Sequence, residues 1–430
     1  MEKFFKLKEN HTDVRTEVIA GITTFMTMAY IIFVNPDILS ATGMDKGAVM
    51  TATIIAAGLT TILMGLLTNY PFALASGMGL NAFFAFVVAE QYGWQAALGA
   101  VFISGVIFLI LSVTRAIGYI DAALPTTLKR AVAAGIGLFI AYIGLQNGGI
   151  IVSDPATQVT LGQLTEPGPL LTLIGILIIA VLMARGVRGA ILIGILLTTV
   201  VSFFMGIKAL PTGIGDIFGM PVSLAPVALQ LDLKAALSIP FFVIFSFLFV
   251  DIFDTMGTLQ GTGARAGFLD EKGRLPRVNR AMFVDAIGTI GGSLLGTSTV
   301  TTYVESTAGV SEGGRTGLTA VVTGLLFFLS LFVAPLLDLI PSQATAPALV
   351  IVGVLMIGAV KEIDFNDFTE ALPAFLTIIF MPLAYSIADG IAFGFIAYPV
   401  VKLVSGRAKE VHWLVYLLAV VALIHFFYPV

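Results

Sequence analysis

Cysteine is absent from this chain of 430 residues, histidine occurs three times and tryptophan twice. Without a thiol there are no disulfides, no thiolate metal sites and no cysteine nucleophile. Charge is scarce as well, since only 11% of the residues are Asp, Glu, Lys or Arg. Apolar residues take their place, at 58% of the chain, and the mean hydropathy reaches +1.01. A soluble domain of this length has too little interior to hide that much apolar surface. The composition therefore describes an integral membrane protein; no cofactor, metal or nucleic-acid partner is expected. The net charge of -4 adds little, because the distribution of charge decides more than its sum.

The apolar stretches recur along the whole length, each near the roughly 20 residues a helix needs to cross a bilayer. Spans are predicted near residues 17–34, 48–68, 78–90, 95–113, 127–146, 170–184 and 189–206. A second set follows near 238–257, 280–296, 303–311, 315–338, 345–360, 370–385 and 387–404. Residues 1–10 (MEKFFKLKEN) are charged and amphipathic, and no h-region with a cleavage site follows, so the first span is expected to stay in the mature protein. Between the sets, the stretch KALPTGIGDIFGMPVSLAP is rich in Pro and Gly, as a linker should be.

Basic residues orient the chain. With the N-terminus in the cytoplasm, alternating spans put Lys46, Lys208 and Lys234 outside and every other Lys and Arg inside, the largest cluster being Arg265, Lys272, Arg274, Arg277 and Arg280. The last apolar run, 411–430, reads equally as a span or as an interfacial helix. Residues 186–201 (GVRGAILIGILLTTVV) resemble 386–401 (SIADGIAFGFIAYPVV) in Gly placement and apolar rhythm. Tandem repeats of seven spans, an odd number, must be inverted relative to each other. Inverted repeats point to a secondary transporter with its site at the midplane.

Two segments fit poorly as helices, and each is the third span of its half. Pro and Gly interrupt residues 70–81 (YPFALASGMGLN), and a Thr and Ser run, 296–304 (GTSTVTTYV), leads into the tenth span. β-Branched residues there favour extended backbone. At bilayer depth such backbone survives only where it is buried in protein or lines a cavity.

Four polar residues stand in segments that must sit in lipid: Asn81, Asp251, Asp254 and Glu305. An ionisable group at that depth costs roughly 3 kcal/mol on insertion scales, so it marks a cavity, a partner or a substrate. Asp251 and Asp254 share a helix face within about one turn. Two carboxylates so close in a membrane are not both ionised unless cations or donors meet them. Glu305 opens a short helix after the Thr stretch, and Asn81 sits at the matching break with a donor and an acceptor to offer. Thr301 and Tyr303, in the same stretch as Glu305, are further candidate substrate contacts. Carboxylates repel anions and accept N–H bonds, so this set selects a neutral or cationic, donor-rich ligand. A flat nucleobase can pair with a carboxylate through two parallel bonds while its faces lie on Phe or Tyr.

Each of these residues also has a structural reading. Asp254 could cap or bond to a neighbouring helix, Asn81 could join two helices and Glu305 could pair within the protein. Asp285 is expected to pair with Arg280 near the cytoplasm, and Asp389 to cap a helix at a tight bend. With His11, His412 and His425 toward the chain ends, a histidine relay is not expected. The string GTGARA (261–266) follows a lipid span and reads as a loop rather than a dinucleotide site. In GIGD (213–216), Asp216 falls in the outer loop, unlike the aspartates of an intramembrane aspartyl protease.

The strings SGMGLNAFFAF (76–86), DIFDTMGTL (251–259), TSTVTTYVESTAGV (297–310), GGRTGLTAVVTG (313–324) and SIADGIAFGFI (386–396) resemble the AzgA-like purine permeases of the nucleobase-ascorbate transporter superfamily. The resemblance implies an all-α polytopic fold of 14 transmembrane segments in two inverted repeats, 13–205 and 237–404, joined by an extracellular linker, 206–236. A C-terminal amphipathic or membrane segment, 405–430, would follow. It further implies short strands in segments 3 and 10, a core of residues 13–115 and 237–340, and a gate of residues 116–205 and 341–404. The family's substrate and coupling positions fall on Gly79, Asn81, Asp251, Asp254 and Glu305, with Asp254, Asp251 and Glu305 as candidates for proton coupling. The expected function is proton symport of a purine (hypoxanthine, guanine or adenine) across a cell membrane by a homodimer that is no enzyme. A uracil or xanthine permease is the alternative within the same fold; an anion exchanger or channel would need a basic or neutral site.

Overall fold

The computed structural model describes residues 2–271 and 274–427. Lys272 of the basic cluster and the last three residues of the C-terminal run lie outside the described residues. Among the described residues, eight helices are long and apolar enough to cross a membrane, and four shorter helices are apolar too. The chain is a mostly helical, polytopic membrane protein, as its composition requires.

The first span is broken into α1 (Val14–Met28) and α2 (Ile31–Ser40), separated at Ala29 and Tyr30. Short polar side chains start the helices. Asp13 caps α1 by accepting the Thr16 N–H at 2.8 Å, and Asp45 caps α3 (Lys46–Thr68) by accepting that of Ala48 at 2.7 Å. Asn69, in the left-handed region at φ 54°, ends α3. The third segment then begins as strand β1 (Leu74–Ser76), turns into α4 (Met78–Phe83) and continues through a π-helical turn, Phe84–Val88. After it come α5 (Trp94–Val113), α6 (Thr126–Asn147), an exposed hairpin of β2 (Ile151–Asp154) and β3 (Gln158–Leu161), α7 (Pro167–Ala184) and α8 (Ala190–Phe204). The second half holds α9 (Phe241–Ala266), α10 (Val278–Leu295), β4 (Val300–Thr302), α11 (Ser306–Ser311) and α12 (Gly317–Ser330). It continues with α13 (Ser342–Met356), α14 (Phe368–Leu383), α15 (Ile387–Val404) and α16 (Trp413–Phe427).

The two interrupted segments cross each other. β1 and β4 pair antiparallel, with Leu74 opposite Thr302, Ala75 opposite Thr301 and Ser76 opposite Val300. Gly77 N–H to Thr299 O (3.0 Å) and Tyr303 N–H to Ala73 O (2.9 Å) extend the ladder. Hydroxyls satisfy the outer edges: Leu74 N–H donates to Thr61 Oγ1 at 2.9 Å and Ala73 N–H to Ser306 Oγ at 2.9 Å. Every residue of both strands is buried, which is how extended backbone persists at this depth.

Glycine lets the helices cross closely. At Gly317 an added Cβ would lie 2.0 Å from the Gly65 carbonyl oxygen, where α12 meets α3, and at Gly353 it would lie 2.4 Å from that of Gly137, where α13 meets α6. Without hydrophobic drive between helices in lipid, such backbone contact supplies the packing. Glu17 adds a polar clasp. Fully buried in α1, it accepts N–H bonds from Arg315 (2.9 Å), Thr316 (3.3 Å) and Thr319 (3.1 Å) and the Thr319 hydroxyl (2.6 Å), so its carboxylate caps α12 from another helix.

Several expectations need correction. GTGARA is not a loop but the last turns of α9, which ends only where Gly267 turns left-handed at φ 72°. Ser386, not Asp389, caps α15, by accepting the Asp389 N–H at 3.2 Å. Asp389 instead meets His425 Nε2 at 3.0 Å, because α16 runs back along α15 and brings its last turn beside α15's first. Leu417, Val420, Leu423, Ile424 and Phe427 of α16 are exposed, an outward apolar face suited to lipid.

Candidate functional site

The acidic residues of α9 part company around the helix. Asp251 is fully buried and its Oδ2 accepts the Thr289 hydroxyl at 2.8 Å, while its Oδ1 has no partner. Asp254, three residues on, is exposed, as are Gly257 and Gly261 further along the same face. At both glycines an added Cβ would meet nothing within 4 Å. A carboxylate in the middle of an apolar helix does not face lipid, so this small-residue stripe borders an opening.

Glu305 comes from the other crossing segment, immediately before α11, and is half-buried. Its Oε1 accepts the Tyr30 hydroxyl at 2.7 Å. No ion pair among the described residues involves Glu305, Asp254 or Asp251, and Glu305 and Asp254 lie within electrostatic reach of each other. Two acidic groups, one exposed and one half-buried, thus lie near each other with no cation between them among the described residues.

The remaining candidates sit behind this rim. Thr301 Oγ1 is 2.7 Å from Thr255 Oγ1, and Tyr303 donates its hydroxyl to Ser76 O at 2.5 Å; both residues are buried and tie β4 to α9 and β1. Asn81 is fully buried, with Oδ1 accepting from Ser76 Oγ at 2.8 Å and Nδ2 left without a partner. Gly79 abuts α6, where an added Cβ would lie 2.4 Å from Ile136 Cγ2.

Three further residues belong to this region. Asp285 does not pair with Arg280: it is fully buried, takes the Thr302 hydroxyl at 3.2 Å and lies near Asp251, because α10 packs against β4. Asn35, buried in α2, donates from Nδ2 to Thr53 Oγ1 (2.7 Å) and Thr297 Oγ1 (2.9 Å), and Thr297 lies 3.3 Å from Ser76 Oγ. That chain of bonds ends on Asn81. Tyr30 is the third, and nothing in the sequence around it marks its partner, which lies 275 residues on. Among the described residues, no three of His, Cys, Asp and Glu stand where they could hold a metal ion.

Comparison with known proteins agrees with the sequence motifs. A model of the Permease family matches residues 15–393. The guanine/hypoxanthine permease PbuG of Bacillus subtilis (strain 168) is 48% identical over 442 residues, covering 100% of both chains. The adenine permease AdeP of Escherichia coli (strain K12) is 46% identical over 413 residues, 95% of this chain and 92% of that one. Among solved structures, the transmembrane domain of a cyanobacterium bicarbonate transporter, BicA, superposes with a TM-score of 0.66 at 17% identity, covering 87% of this chain and 96% of that one, a likeness of fold alone. With its motifs, its helices and relatives alike from end to end, the chain is a transporter rather than an enzyme and belongs to the Permease family, within the nucleobase-ascorbate superfamily.

Proposed function

We propose that this protein carries purine nucleobases, guanine, hypoxanthine or adenine, across a cell membrane by proton-coupled alternating access. The observation that carries the reading is the acidic pair itself: Asp254 and Glu305, from two different segments, lie within electrostatic reach of each other, and among the described residues no cation is paired with either. Each can accept ring or exocyclic N–H groups of a base, and an anion would be repelled by both. The names of the relatives from B. subtilis and E. coli supply the substrate class. In this reading Asp251, Thr301 and Tyr303 hold the crossed strands behind the site, Asn81 offers its spare Nδ2–H toward the base, and Asp254 or Glu305 takes the coupled proton.

The fold is read as fourteen segments in two inverted repeats, 13–205 and 237–404. A core, 13–115 and 237–340, slides as an elevator against a gate, 116–205 and 341–404. Its support is that the third segments of the halves cross at β1 and β4, that α3 meets α12 as α5 meets α10, and that α6 meets α13. Gly79, pressed on Ile136, then lies on the sliding surface. The exposed face of α9 leads from Asp254 toward the helix end beside the basic cluster. On the opposite side Tyr385 contacts the edges of Phe86, Phe139 and Tyr142. In this reading the site opens to the cytoplasm, with the N-terminus on that side. A homodimer is the assembly implied by the resemblance.

The test is uptake of labelled hypoxanthine in cells without their own purine permeases. Uptake should be saturable, compete with guanine or adenine, fall to background with Glu305→Gln and collapse with a protonophore. Full uptake by Glu305→Gln would overturn the site, and insensitivity to the protonophore would remove the coupling. Preferential competition by uracil or xanthine would move the substrate class.

A further inference from the structure

We infer that Tyr30 is a positioning residue for substrate: from the break in the first span it fixes the Glu305 carboxylate so that one oxygen is anchored and the other faces the opening. The inference rests on the reading of Glu305 as a substrate contact. Tyr30 is 1% exposed and packed in the main apolar cluster, where a phenol hydroxyl needs a partner. Its partner is Glu305 Oε1 at 2.7 Å, the short length of a hydroxyl bonded to a carboxylate.

The same turn of the first span also reaches the backbone, since Thr27 Oγ1 lies 3.4 Å from Glu305 O. One turn earlier, Gly309 of α11 passes so near α1 that an added Cβ would stand 2.1 Å from Thr24 Oγ1. Segments 1 and 10 therefore meet without slack, and the phenol has a fixed post from which to hold the carboxylate.

A glutamate side chain has several rotatable bonds, and freezing them upon binding costs affinity. Anchoring Oε1 beforehand removes much of that cost. Among the described residues Tyr30 is the only other residue bonded to this carboxylate, so Oε2 stays available to a purine N–H. Ala29 and Tyr30 keep right-handed backbone between α1 and α2, and the phenol leaves the span just past the turn on which α11 packs.

The experiment is Tyr30→Phe, measured as hypoxanthine uptake kinetics in cells and as hypoxanthine binding to purified protein in detergent. The binding arm keeps the test valid if the variant reaches the membrane poorly. A positioning role predicts that KM and Kd rise roughly tenfold, the scale of one lost hydrogen bond to a charged group, while the maximal rate per transporter is kept. Thr27→Val, which touches only the backbone contact, should move KM less. A lowered maximal rate with unchanged Kd would assign Tyr30 a structural role and overturn the inference. Unchanged KM and Kd, with normal binding by wild type, would overturn it and leave the function reading intact. Failure of wild type to bind any base would overturn both.

Discussion

Asp251 and Asp254 are three residues apart on α9, yet one is sealed behind β4 against Thr289 and the other is exposed to the opening. A step of three residues turns a helix by about 300°, leaving the two carboxylates about 60° apart. On a helix at the edge of a cavity that angle separates scaffold from site.

Opposite consequences are expected from their removal. Asp254→Asn should abolish hypoxanthine uptake while leaving thermal stability within about 0.5 kcal/mol, as for an exposed position. Asp251→Ala strips Thr289 of a partner and opens a cavity, and should cost roughly 2 kcal/mol. Uptake by membrane vesicles and thermal unfolding of purified protein, done on both variants, check the pair. Equal loss of stability would refute the division of roles.

Much of the architecture was legible because burial in lipid makes apolar runs long. The spans read near 48–68, 95–113 and 387–404 are close to α3, α5 and α15, and the disruption of the third segments by Pro, Gly and Thr was visible as β1 and β4. What was hidden depends on contacts between distant segments. Asp285 looked cytoplasmic by its distance from Arg280, but α10 folds it against Thr302. The Tyr30 bond to Glu305 joins residues 275 apart. The β2–β3 hairpin carries a local sign, Asp154 and Pro155 between β-branched residues, but a faint one beside the stronger apolar signals.

Glu17 should prove essential to stability rather than to substrate affinity. Its carboxylate meets four donors of the loop and first turn of α12, and truncation would leave buried N–H groups unpaired. Glu17→Ala is expected to destabilise by roughly 3 kcal/mol, and Glu17→Gln by less, because an amide oxygen still accepts. Thermal unfolding of the detergent-purified variants measures the order; no difference between Ala and wild type would contradict the clasp.

At the opening of α14, outside the apolar span, the Arg407 guanidinium bonds to Asp367 at 2.6 Å and, with the Thr369 hydroxyl and N–H, holds the Asp367 carboxyl at about 2. That lies below the unfolded value of roughly 3.9. The folded state therefore binds this proton less readily, so the contribution is complete above about pH 4 and is lost as pH falls toward about 2. Arg407→Gln should flatten the decline in melting temperature across that window. Asp367→Asn should flatten it too while keeping the helix cap. An undiminished decline in both variants would place its origin elsewhere.

Because the chain has no cysteine, a single introduced thiol is an unambiguous probe of the opening. Gly257 is the position of choice: it is exposed, lies one turn from Asp254, and an added Cβ there meets nothing within 4 Å. Gly257→Cys also replaces a residue of poor helix propensity, so the fold should tolerate it. In oriented vesicles the thiol should react with a membrane-impermeant maleimide from the cytoplasmic face, and hypoxanthine should slow the reaction severalfold by filling the space beside Asp254. Tyr385→Ala, which removes the ring that Phe86, Phe139 and Tyr142 surround, should let the reagent in from the outer face as well. Labelling only from outside would reverse the orientation, and labelling indifferent to hypoxanthine would move the substrate away from α9.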